Sequence, residues 1–154
     1  MDPVVRPATA DDIEALNWLQ STARFGLTDV RGGQLRLREC EEITDWPALF
    51  ADPSSCVLVG TLLDVVLGYM VLRIRPDIDR GVITHVFVEE GARELGLGDT
   101  MVEHAIAHVR AAALSGIESV ALPGDRETKN LFERAGLTAR KITVYKSLVV
   151  HDVT

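Results

Sequence analysis

Arg93, Gly96 and Gly98 stand in the run Arg93-Glu94-Leu95-Gly96-Leu97-Gly98-Asp99-Thr100, between a β-branched stretch ending at Val88 and a long stretch with helical spacing. A helix start leaves backbone N–H groups without partners, and glycines let a bulky anion approach them, so this segment suits a phosphate or pyrophosphate. It serves equally as a tight strand-to-helix connection whose glycines only satisfy backbone angles. A dinucleotide fingerprint is excluded, because Met101 stands where a third Gly or Ala is needed and the segment does not open the first βαβ unit. A Walker loop is excluded too, since Asp99 stands where a Lys must follow Gly98. Upstream, His85 has the side chain best suited to proton transfer near neutrality. Glu89 and Glu90 follow at the strand end, where a carboxylate takes a proton directly or through water. The plainer alternatives are a satisfied sheet histidine and two solvated loop carboxylates.

Positioning these residues falls to alternating strands and helices. Val4 and Val5 form a short strand, and Thr9 with Asp12 forms a capping box before a helix whose inner face carries Ile13, Leu16, Leu19 and Ala23 and which stops at Gly26. A helix over 34–42 and irregular chain as far as Pro53 come next. Two antiparallel strands within 57–74 flank a turn at Leu63 and Asp64, and a third strand covers 82–88. Leu97, Met101, Ala105, Val109 and Ala113, with Val102, Ile106 and Ala112 beside them, make one broad apolar stripe on a helix over 97–114 ended by Gly116. A buried strand over 119–122 precedes a helix over 126–135, capped by Asp125 and stopped by Gly136, and a strand over 137–148 closes the chain. The order predicts a single-domain α/β fold of the α+β type, with a mixed central sheet flanked by helices.

The composition removes several functions. A net charge of −7 and a pI near 5.0 oppose a surface that tracks nucleic-acid phosphates, so no nucleic-acid partner is expected. The same acidic balance favours a cationic substrate. Cys40 and Cys56 are the two cysteines, without CxxC spacing, and read as reduced thiols. His104 and His108 share a helix face but have no third ligand in sight, so no metal site is expected. The most apolar stretch, 56–72, is interrupted by Gly60, Asp64 and Gly68 and reads as a hairpin and not a membrane span. Residues 1–9 contain no apolar core of a secretory signal, and a cytoplasmic location is expected. Trp18 and Trp46 are read as core or rim packing, while Arg31-Gly32-Gly33 fits equally a substrate or cofactor wall and a glycine turn with one exposed Arg.

The segment resembles the acyl-CoA loop of the GNAT superfamily of N-acyltransferases, in which a strand valine is followed by four residues and then R-x-x-G-x-G/A; Val88, Arg93, Gly96 and Gly98 match it. Gly68 falls where the family's hairpin glycine lies, and 130–137, Asn-Leu-Phe-Glu-Arg-Ala-Gly-Leu, looks like the family's second motif. The resemblance extends over nearly the whole chain and implies a mainly antiparallel GNAT sheet. It also implies acetyl-CoA as donor and direct attack by a primary amine of a small molecule or a protein. Backbone N–H groups of Leu95, Gly96, Gly98 and Asp99 would hold the pyrophosphate, and main chain at Phe87 and Val88 would pair with the pantetheine. Arg93, Glu94, Leu97, Thr100, Asp125, Asn130 and Phe132 complete the implied cofactor site. Glu94 and Asp99 add negative charge beside the expected diphosphate.

Phe132 departs from the family's frequent tyrosine acid, leaving Tyr145 or water to protonate the thiolate, while His85 and Glu89 are the candidate bases. Asp125 stands where the family often has Asn, and its helix-capping role is favoured. By the family's standard one strand follows Gly136 where two are usual, so either the tail over Val149 to Thr154 folds back over the open sheet edge or a second subunit covers it, and a homodimer is expected. The rival expectation is a module that keeps the acyl-CoA cradle without turnover. A third reading keeps only the fold.

Overall fold

The computed structural model describes residues 2–150, so most of the tail over Val149 to Thr154, expected to fold back or leave the edge to a second subunit, lies outside the described residues. Five strands form one sheet in the spatial order of the sequence: β1 (Val4–Pro7), β2 (Ser55–Leu62), β3 (Val65–Arg75), β4 (Arg80–Val88) and β5 (Gly116–Ser119). The first four pair antiparallel and β5 runs parallel to β4. The β2–β3 hairpin turns at Leu63 and Asp64, both with positive φ (52° and 63°), as expected from the sequence. A parallel neighbour needs a crossover, which α4 (Leu97–Ala111) supplies between β4 and β5.

Because strand side chains alternate, the sheet buries two faces. On one lie α1 (Ile13–Gly26), α2 (Gly33–Glu39) and α3 (Trp46–Ala51), with Leu16, Leu19, Trp46 and Leu49 packed on Val57, Val59, Tyr69 and Val71. On the other, Met101, Val102, Ala105 and Val109 of α4 meet Leu58, Met70, Leu72 and Ile83, joined by Leu131 and Phe132 of α5 (Arg126–Arg134). Each such aliphatic side chain contributes about 1.5–3 kcal/mol when fully buried. Gly81 is needed for close approach here, since a Cβ at that position would overlap the Val109 side chain.

Asp12 locks the first helix to the first strand. Its carboxylate accepts from both Arg6 guanidinium nitrogens (2.8 and 2.9 Å) and from the Thr9 N–H (2.8 Å), completing the capping box. On the same layer, the buried Gln20 amide exchanges two 2.9 Å hydrogen bonds with the backbone of Ile43 and pins the approach to α3.

Several expectations need correction. The segment taken as irregular holds α3, because Asp45 caps it through the Ala48 N–H (3.1 Å) and Pro47 sits in its first turn. The helix expected over 34–42 ends at Glu39. That expected to run to Leu114 ends at Ala111, with Ala113 in the left-handed region at φ 59°. The strand placed at 119–122 lies at Gly116–Ser119: Ile117 packs into the α4 core, and the Ser119 hydroxyl donates to Ile83 O (2.7 Å) where pairing stops. The closing strand over 137–148 is absent. Pairing partners are what a strand requires, and this segment has none in the sheet, so Ile142, Val144 and Leu148 stay 81–89% exposed.

The Arg6 hydrogen bonds hold the Asp12 carboxyl below the usual carboxylate range, so its contribution to stability is present above pH 4 and fades as pH falls through the depressed value. Asp12→Ala is expected to cost about 1–2 kcal/mol in urea unfolding at pH 7, since it removes the helix cap together with an ion pair whose Arg6 side is part-exposed.

Candidate active site

The site begins with a fault in strand register. Val71 pairs with His85 and Leu72 with Ile83, so Thr84 is an extra, unpaired residue on β4. A bulge of this kind inverts the alternation beyond it. Ile83 faces the α4 core, whereas His85 and Phe87 are carried to the α1–α3 face. Pairing with β5 ends at the same place, at Ile83 and Ser119, and residues 84–88 continue without a strand on that side.

A cleft of about 500 Å³ fills the gap. Its floor is 84–88 of β4, one wall comes from α1 and α2, and the other comes from the start of α4, the chain after β5 and the first turns of α5. The α1–α2 connection meets the β5–α5 loop at the rim, where the Gly32 and Gly124 backbones approach Leu122 and Val30.

At the loop end, Gly96 caps α4 in the left-handed conformation (φ 77°) and the Thr100 N–H bonds to Gly96 O (3.0 Å). The N–H groups before Thr100 therefore have no acceptor inside α4. Gly98 and Asp99 line the cleft, and Asp99 is paired with Arg134 (2.9 Å), which offsets the negative charge noted in the sequence. Arg93 lines the same end and donates to Val88 O (3.3 Å).

At the other end His85 meets its strand neighbour Thr84 and groups from three other elements of the chain. Thr84 Oγ1 is 2.8 Å from its Nδ1, Cys40 Sγ is 3.5 Å from its Nε2, and Tyr69 stacks at a tilt with ring centroids 6.3 Å apart. Arg24 of α1 donates to Cys40 O (2.8 Å) and Leu37 O (3.3 Å), and Arg36 of α2 donates to Thr84 O (3.0 Å). Burial first, then the positive charges of Arg36 and Arg24, push His85 down to about 4, against a weaker upward pull from a Glu41 backbone hydrogen bond. The ring is neutral at pH 7. Burial likewise raises the Tyr69 phenol well above its ordinary value.

Of the residues singled out in the sequence, His85, Phe87, Val88, Arg93, Gly98, Asp99 and Asp125 line the cleft. Asp125 does so while capping α5 through the Thr128 N–H (3.2 Å) and hydroxyl (2.7 Å). Glu94, Leu95 and Gly96 lie in the turn beside it, Leu97 is buried under Gly60, and Thr100 sits one turn into α4. Phe132 is in the α4 core, and its neighbour Leu131 takes the cleft-lining place on α5. Asn130 is exposed outside the lining. Glu89 begins the turn after β4, its N–H bonded to Leu67 O (2.8 Å), and Tyr145 is half-exposed in the C-terminal segment; neither side chain lines the cleft. His104 turns its ring to Thr100 O (2.9 Å), and no group of three potential metal ligands occurs among the described residues. Arg24, Arg36 and Tyr69 were not singled out, and Cys40 was read only as a reduced thiol. Arg24 and Arg36 read locally as basic residues near helix ends, and only the bulge brings His85 to them.

The profile of the acetyltransferase (GNAT) family matches residues 13–137. The chain belongs to this family. Proteins of known structure share its fold across nearly the full length. A mutant of the BH1408 protein from Bacillus halodurans superposes with a TM-score of 0.80 at 21% identity, over 95% of this chain and 99% of that one. An aminoglycoside acetyltransferase from an uncultured soil metagenomic sample, in complex with sisomicin, gives 0.69 at 13% identity, over 96% of each chain. AAC(6')-Iy, bound to the bisubstrate analogue CoA-S-monomethyl-acetylneamine, gives 0.70 at 12% identity over 97% of this chain and 100% of that one. No curated protein matches the sequence. No helix among the described residues is long and apolar enough to cross a membrane.

The depressed His85 value has a consequence for stability. Between pH 4 and 6.5 the unfolded chain binds a proton at this position that the folded chain does not, so stability rises with pH through that window. Urea unfolding measured from pH 4 to 7 is expected to show a shallower pH slope in His85→Gln than in the wild type; an unchanged slope would contradict the assignment.

Proposed function

We propose that this GNAT chain moves an acetyl group from acetyl-CoA to a primary amine, by direct attack with donor and acceptor bound together. The observation that carries the reading is the stretch 84–88 of β4, paired with β3 but open on the β5 side, running into the Gly96–Gly98 start of α4. An exposed strand edge accepts an extended amide-bearing chain as an added strand, and a helix start accepts a diphosphate, so the two lie in the order in which coenzyme A presents these groups.

When bound, acetyl-CoA supplies a thioester carbonyl whose carbon is open to attack by an amine. The rest belongs to this chain. Helix-start N–H groups at Gly98 and Asp99 would hold the diphosphate, with Arg93 beside them and the Asp99 charge already offset by Arg134. Val88 presents its carbonyl toward Arg93, and by strand alternation Val86 shares its orientation, so main chain at 86–88 would bind the pantetheine amides and polarise the thioester carbonyl. His85 is neutral and reaches the cleft, and is the base closest to the acceptor end; a base with so low a value acts on an amine that arrives already deprotonated or through water. Phe132 supplies no acid, and a thiol with a pKa of about 8.5 departs without one or takes its proton from solvent. Glu89 and Tyr145 would act only through water or after movement of their segments.

The segment beyond Gly136, with Ile142, Val144 and Leu148 exposed, and the unpaired outer side of β5 support a homodimer in which one covers the other. Light scattering is expected to give about twice the 16.8 kDa chain mass, and truncation after Leu137 a monomer. A monomeric full-length chain would overturn that part.

Calorimetric titration with acetyl-CoA tests the donor site. Gly98→Glu adds a carboxylate at the cleft-lining start of α4, where its Cβ would lie 3.1 Å from the Leu131 side chain and Leu131 must give way; affinity should fall by roughly 100-fold or more, and the Tm of the variant separates loss of the cradle from loss of packing. No binding to folded wild-type protein would sink the proposal. Binding without thiol release across an amine panel would favour the turnover-free module.

A further inference from the structure

The acceptor end of the cleft has a charge opposite to that of the whole molecule. Its two guanidinium groups, Arg24 and Arg36, bond only to the carbonyls of Cys40, Leu37 and Thr84, and belong to none of the ion pairs among the described residues. A guanidinium has five N–H donors; Arg24 uses two sites on carbonyls and Arg36 one, so both keep donors as well as uncompensated charge. Elsewhere in the molecule, half-exposed arginines such as Arg6, Arg73 and Arg80 have carboxylate partners. The acidic residues lining the cleft lie on the other wall: Asp99 is paired with Arg134, Asp125 caps α5, and Glu127 is in the first turn of α5. Glu39 borders the small groove behind Arg36 without pairing to it.

We infer that the acceptor is an anionic amine, a molecule carrying a carboxylate or phosphate near its primary amino group, with that anion held by Arg24 and Arg36 at the α1–α2 wall. The inference rests on the acetyl-transfer reading of the same cleft and narrows it. Planar guanidinium pairs suit carboxylate and phosphate oxygens, and partial burial strengthens the attraction over that of a surface pair. A polycation would have to place ammonium groups against two unneutralised arginines, a like-charge contact that the acidic exterior does not relieve. The overall charge of −7 therefore points the wrong way for the acceptor, because the field within a cleft is set by its lining and not by the chain's total. The same two charges also favour the uncharged form of a neighbouring amine, the form that attacks, and so lighten the demand on a weakly basic His85.

The test compares ligands that differ only in the anion. Wild-type protein, with and without CoA, is heated in the presence of the L-amino acids or their carboxamides, of phosphoethanolamine or ethanolamine, and of spermidine. CoA without its acetyl group allows a ternary complex and no turnover. The expected result is that at least one acid or phosphate raises Tm by roughly 5 °C at high ligand excess while its neutral counterpart and spermidine do not. Whether the amino acids or phosphoethanolamine respond separates a carboxylate from a phosphate. In Arg24→Gln and Arg36→Gln the responding ligand should bind at least about 10-fold more weakly, with Arg36→Lys intermediate. If every acid matches its amide, or spermidine stabilises as well as any acid, or the response survives in the double Gln variant, the inference falls. Should the variants fail to fold, the acid-against-amide comparison on wild-type protein still decides it. Acetyl-CoA binding without an acid preference would remove this inference alone, whereas failure to bind acetyl-CoA would remove the donor reading first.

Discussion

One extra residue in β4 governs the arrangement of everything around it. Thr84 has no partner on β3, and the register shift it creates turns His85 and Phe87 from the α4 face of the sheet to the α1–α3 face. The parallel pairing with β5 also stops there, at Ile83 and Ser119. Without the bulge, β4 and β5 would have no reason to part at this point, and the backbone of 84–88 would be sealed into a ladder. Parting leaves polar main chain exposed on a buried strand, a condition that is stable only where a ligand, water or side chain can satisfy it. Arg36 and Arg93 each satisfy one carbonyl at the two ends of the stretch, and the middle faces the cleft.

The two cores hold that gap open. Trp46, Tyr69, Leu16 and Leu19 fix α1 and α3 on one face, while Met101, Ala105 and Val109 fix α4 on the other. Neither layer can slide to close the cleft without exposing large apolar side chains, each costing about 1.5–3 kcal/mol. The polar anchors add direction to this packing: Asp12 ties α1 to β1, and Gln20 ties α1 to the chain before α3. The site is thus formed between packed elements, with the α1–α2 connection and the β5–α5 loop at its rim.

Charge is divided along the cleft. The loop end offers helix-start N–H groups and Arg93, with Asp99 neutralised by Arg134, and suits a diphosphate. The far end offers Arg24 and Arg36 beside a neutral His85. A chain with a net charge of −7 thus lines one end of its cleft with arginines, a polarity that the family relationship alone does not specify.

Local spacing was enough to determine the parts that depend on nearest neighbours. The Thr9–Asp12 capping box, the Leu63-Asp64 hairpin, the Asp125 cap, the apolar stripe of α4 and the glycine turn that opens it all follow from contacts within a few residues, and so they could be read from residue order. The structure alone decided what depends on register and on distant chain. It placed Leu131 and not Phe132 at the cleft, ended β5 at Ser119, and left 137–148 outside the sheet. It also brought Arg24, Arg36 and Cys40 to His85 across 45 to 61 positions of sequence. A bulge has no composition of its own, and the side of a sheet that a residue faces is settled by the pairing of two strands, so no reading of β4 by itself could have revealed which groups His85 would meet.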